Sequence, residues 1–216
     1  MQPGCPFSGV NHSEDTKEKK VRKLLFLIAI PFLLNGCSSL PLKNVTDPTA
    51  RIERTFYSIL PPSGDDWLYM NNDSGGKYDL FFGKKISATH TLVATVYEVH
   101  SYAQFKDADD FMRYAEQSSM MDVDPRRFNL IESKMDFKKD LGKYAVYRSA
   151  TAEDRHPEKS HGNDYLLLKM FGFVVVHPEN ESVILSVDYS ERGKRDEIDP
   201  EFEMKARRFL ESFKLK

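Results

Sequence analysis

Apolar and polar positions alternate in short runs over most of the chain, and two longer stretches carry a helical period. Residues 51–60 (RIERTFYSIL) fit a short helical stripe through Ile52, Phe56 and Ile59 or Leu60 as well as strand alternation; strand is the preferred reading, because Pro61-Pro62 stops the segment sharply and aromatic side chains favour extended backbone. Trp67–Met70 is a short strand, and Asn71–Gly76 (NNDSGG) is a turn. Strands follow over Lys77–Lys84 and Ala88–Val99; the second is apolar on both faces, as a central strand is. Ser101-Tyr102-Ala103-Gln104 has the capping-box pattern, and Phe105, Ala108, Phe111, Met112 and Ala115 then line one face of a helix running to about Ser119. Phe128–Lys138, Lys143–Ala150, Tyr165–Val176 and Ser182–Tyr189 are strands, separated by a turn at Asp140–Gly142, a polar loop over 151–164 and the turn Pro178-Glu179-Asn180. A charged loop over Glu191–Ile198 precedes a last helix. Asp199 caps that helix, Pro200 opens it, and Phe202, Ala206, Phe209, Leu210 and Phe213 form its apolar face. Strands outnumber helices and short turns join them, so the fold class is α+β: a largely antiparallel sheet packed by two or more helices, in one domain over residues 55–216.

The N-terminal region has a different pattern. Arg22-Lys23 precede eleven apolar residues, Leu24 to Leu34, a length that suits a signal-peptide core and is too short to span a bilayer. Leu34-Asn35-Gly36-Cys37 follows and resembles the lipobox of bacterial lipoproteins, with an aliphatic residue three positions ahead of the cysteine and a small residue immediately before it. That resemblance implies a signal peptide over 21–36, cleavage between Gly36 and Cys37, and a lipidated Cys37 leading a flexible tether over 37–54. Ser38, rather than aspartate, follows the cysteine. By analogy with enteric lipoproteins this implies the periplasmic side of the outer membrane. Residues 1–20 are polar and include Glu14-Asp15 and a KEKK run, which is foreign to a signal peptide; translation from Val21 through a GUG codon would make them a mis-called extension.

Charge and cysteine usage narrow the chemistry. Beyond Cys37 there are 26 basic and 30 acidic residues, a balance of −4, so the domain lacks the basic surfeit that nucleic-acid binding draws on. Cys5 precedes the cleavage point. The mature domain would therefore hold no free thiol, disulfide or cysteine-ligated metal.

Catalytic patterns are weak. Gly75-Gly76-Lys77 lacks the first glycine and the final Ser or Thr of a phosphate loop, and Asn71-Asn72-Asp73 lacks the remainder of a calcium loop. His156 and His161 share a polar loop, while His90 and His100 sit at opposite ends of one strand, about 33 Å apart at strand rise. Asp109-Asp110, Asp122 with Asp124, and Asp196-Glu197 are carboxylate pairs that read as solvated charge. No cofactor or metal is expected. Trp67 is a core or rim residue, with a ligand platform as the alternative.

An aromatic-rich strand ending at Pro61-Pro62, then Trp67, paired strands and a C-terminal helix ending FLESFKLK resemble, in element order over 55–216, the PsbP-like α+β fold. The resemblance implies a domain that binds partners and assists assembly, and it transfers no functional residue. The expectation is a lipid-anchored envelope protein, more binder than enzyme, that binds a protein or envelope component; the alternatives are an envelope hydrolase with dispersed catalytic residues and a small-ligand binder.

Overall fold

The computed structural model describes residues 42–71, 79–121, 124–155 and 165–216. Its frame is an eight-stranded antiparallel sheet in the order β1-β4-β5-β6-β10-β9-β8-β7. One half is built from β1 (Lys43–Asn44), β4 (Leu68–Asn71), β5 (Leu80–Lys85) and β6 (Thr91–His100); the other is the meander β7 (Phe128–Phe137), β8 (Ala145–Asp154), β9 (Leu166–His177) and β10 (Asn180–Gly193). Helix α1 (Ala108–Met121) connects the halves, and β10 closes the sheet against β6 in the register Thr91↔Arg192 to His100↔Val183. The α+β class and the antiparallel sheet are as the sequence predicts.

Strand alternation splits the core. On one face Leu80, Phe82, Ala94, Val96, Leu185, Val187 and Tyr189 meet Phe202, Ala206, Phe209 and Leu210 of α2 (Phe202–Glu211). A second, three-stranded sheet, β11-β3-β2, adds Tyr57 and Ile59 to this side. It joins β2 (Ile52–Glu53), β3 (Tyr57–Ile59) and β11 (Lys214–Leu215), so the last strand pairs with an early one. On the other face Val146, Val174, Val176 and Ile184 pack under Phe111 and Ala115 of α1.

Several boundaries differ from expectation. Part of the segment read as tether, 43–54, is strand: Lys43 pairs with Tyr69 and Ile52 with Ile59, because short polar runs can still lend backbone groups to a sheet edge. Ser101 does not begin α1; its amide donates to Ser182 O and continues the β6–β10 ladder. Asp107 caps the helix instead, accepting the Asp110 amide at 2.8 Å. The strands β8 and β10 run four residues further than the apolar pattern suggests, to Asp154 and Gly193, because buried ion pairs extend them beyond their apolar runs. Asp199 does hold the start of α2, accepting the Glu201 amide at 2.8 Å.

Candidate functional site

The unexpected chemistry lies at the end of β10, where successive charged residues point to opposite faces. Glu191 turns toward α2 and is 1% exposed; its Oε1 lies 2.6 Å from His90 Nε2 and accepts the Asp199 amide at 3.0 Å. Its Oε2 is buried and meets no hydrogen-bond partner. Next to the pair, Glu197 accepts the Thr89 hydroxyl at 3.0 Å and the Lys194 amide at 2.8 Å. Backbone packs close here: a Cβ on Gly193 would come 3.2 Å from the His90 ring. The Thr89 hydroxyl is directed at Glu197 and not at His90.

Arg192 turns toward the α1 face and donates Nε to Asp154 at 2.5 Å. Arg127 grips the same carboxylate in bidentate fashion at 2.9 and 2.8 Å. Burial pushes the Asp154 carboxyl up, but the two guanidiniums outweigh it and hold the group below its ordinary 3.8. Burial also pulls the Arg192 guanidinium below its ordinary value, against the opposing pull of Asp154. One strand row away, Arg148 reaches across Gly172 to Asp188 at 2.9 and 2.6 Å, to Ser186 at 2.9 Å and to Ser119 of α1 at 3.1 Å. A Cβ at position 172 would lie 2.5 Å from Val187 O and against the Asp188 carboxylate, so glycine opens the gap that the guanidinium crosses. These groups are tied to one another inside the sheet, which suits bracing rather than turnover.

Concavity lies elsewhere. An open groove of about 780 Å³ separates the start of α1 from the β7–β8 connection, with Asp107, Asp109, Phe137, Lys139 and Lys143 on its walls. Asp107 is occupied as the helix cap. The Tyr144 hydroxyl holds the Lys143 ammonium above its ordinary value. A second shallow depression lies along α2 by Met204, where Arg207 pairs with Glu203 at 2.6 Å. Both are broad and open, and they can take an extended polar surface more readily than enclose a small substrate.

The residues singled out from the sequence do not converge. Trp67 is 2% exposed, donates its indole N–H to Ser63 O at 3.2 Å and packs near Tyr189; it is core, and the ligand-platform alternative is corrected. His90 and His100 are held apart by β6 as expected, and His100 sits by Glu98 at 3.0 Å. Asp110 pairs with Arg113, Asp124 with Arg126, and Glu197 with Thr89 and Lys194. Among the described residues, no three His, Cys, Asp or Glu side chains come together to hold a metal ion. Gly36, Cys37, Asn72 to Lys77, Asp122, His156 and His161 lie outside the described residues. Sequence reasoning missed Arg127, Arg148, Asp154, Glu191 and Arg192, along with Lys138, which is buried with its ammonium 4.2 Å from the Tyr147 ring centre. The available signal was Gly172 inside an apolar strand, since a strand-interior glycine marks a close approach.

No family model matches the chain, and no curated protein matches it. The chain is similar to the solution structure of cyanobacterial PsbP (CyanoP) from Synechocystis sp. PCC 6803, at 16% identity and a TM-score of 0.41, over 85% of this chain and 99% of that one. The assignment to the α+β class stands on the strand pairing itself.

Proposed function

We propose that the chain is an exported lipoprotein, anchored through Cys37 to the periplasmic side of the outer membrane, whose soluble domain binds an envelope partner and does not catalyse. The observation that carries this reading is Leu34-Asn35-Gly36-Cys37 behind a basic pair and an eleven-residue apolar run, six positions ahead of the sheet's first strand at Lys43. Two or more acyl chains on that cysteine would turn reversible association into stable anchoring. The binding role draws support from charged side chains committed to internal pairs and from broad, open grooves.

Labelled palmitate supplied to cells expressing the full chain tests the anchor. The wild type is expected to incorporate label and sediment with membranes, whereas the Cys37→Ser variant does neither; an unlabelled wild type overturns the reading. Mild crosslinking of the anchored protein followed by affinity purification is expected to recover a specific envelope component that the Cys37→Ser protein does not recover.

A further inference from the structure

The α1 side of the large sheet is covered unevenly. The helix packs on β7 and β8 and reaches Val174, Val176 and Ile184. At the opposite end of the sheet, alternation brings Leu68 and Met70 of β4 to this same side, with Lys85 of β5 beside them. Leu68 is 37% exposed, and Leu42, just ahead of β1, is 39% exposed. Lys85 is also exposed at this end, whereas Lys43 lies opposite Tyr69 and turns to the α2 side; Lys84 donates to Asp65 O at 2.7 Å.

Chain length determines which part of the domain an anchor at Cys37 can bring to the bilayer. Leu42 is five residues beyond that cysteine, so even a fully extended chain lets it stand off by only about 17 Å. The sheet is much wider than that: eight strands leave seven gaps of about 4.8 Å, or roughly 34 Å from β1 to β7. A lipid on Cys37 therefore keeps the β1 edge within reach of the headgroups, while β7 is free to stand well away from them.

We propose that the strip formed by Leu42, Leu68 and Met70, with Lys85 beside it, rests on the phospholipid surface of the membrane that holds the anchor. The proposal rests on the lipidation reading above and adds an orientation to it. The apolar side chains reach into the headgroup layer, and the Lys85 ammonium meets anionic phosphates.

The test uses full-length protein matured in cells and reconstituted into vesicles of phosphatidylethanolamine and phosphatidylglycerol. Benzoylphenylalanine replaces Leu68 in one sample and Met204, on the outer face of α2, in another. Illumination is expected to give lipid adducts several-fold more often at 68 than at 204. Equal labelling at the two positions, or adducts at 68 with peptide only, overturns the orientation. A readout on the unsubstituted face is the rate at which lysines react with an amine reagent. Lys85 is expected to react more slowly in the anchored wild type than in Cys37→Ser protein, with Lys214 unchanged; equal rate ratios at the two overturn the proposal. Palmitate incorporation is measured on the same samples. A labelled chain that fails both readouts sinks the orientation and spares the anchor, whereas an unlabelled chain sinks both.

Discussion

Asp154 is the single carboxylate between two guanidiniums, and removing its charge would leave both cations buried beside each other. Asp154→Asn is expected to cost about 3–5 kcal/mol of stability, the range for breaking a buried ion pair from one side, as read by urea unfolding. Because the folded carboxyl lies below its ordinary 3.8, its contribution is present above that pH and is lost as pH falls through the folded value. The wild type should therefore lose stability in acid more steeply than Asp154→Asn does. Gly172→Ala should cost about 1–3 kcal/mol through overpacking, since the new methyl meets Val187 O and displaces the Arg148–Asp188 pair. These residues were the least legible part of the chain. Glu191 and Arg192 look like the start of a charged loop, because nothing in a one-dimensional pattern reports that His90 and Asp154, distant in sequence, pair with them.

At the scale of elements, legibility followed periodicity. Helix α2 was readable because its buried residues, Phe202, Ala206, Phe209 and Leu210, fall on one stripe. Phe209→Ala should cost about 3–5 kcal/mol, because its ring sits against Phe82 and Tyr189 in the larger core; thermal unfolding of the variant checks this. The apolar face of α1 was equally readable, but its start was not. Ser101 and Asp107 are both competent caps, and Ser101 is drawn into the β6–β10 ladder by Ser182, a partner far along the chain. The tether was misread for a related reason: Lys43-Asn44 and Ile52-Glu53 have no apolar alternation of their own and are strands only because β4 and β3 offer them edges.

For the whole molecule, the two sheets are pinned by a buried phenol. Tyr57 of β3 donates its hydroxyl to Asp79 and stacks on Phe213. Burial first, then the Asp79 carboxylate, raises the Tyr57 phenol far above its ordinary 10.0, and burial does the same to Tyr189. A raised folded value means the stability is intact below pH 10 and is lost as pH rises beyond it, when the unfolded chain gains by ionising. Ultraviolet titration should thus show exposed tyrosines ionising gradually and a later cooperative step coincident with unfolding, smaller in Tyr57→Phe. The antiparallel order was legible in outline from the short turns, but the joint between the two halves was not, since it pairs Thr91 with Arg192, 101 positions later. That joint has a consequence for biogenesis. A chain emerges from the ribosome N-terminus first, so β6, the most apolar strand of the early half, is complete long before its partner β10 exists. Throughout that interval, spent making α1 and three further strands, its open edge is a template for wrong pairing. A factor that shields this edge, or a short wait, would limit such mispairing.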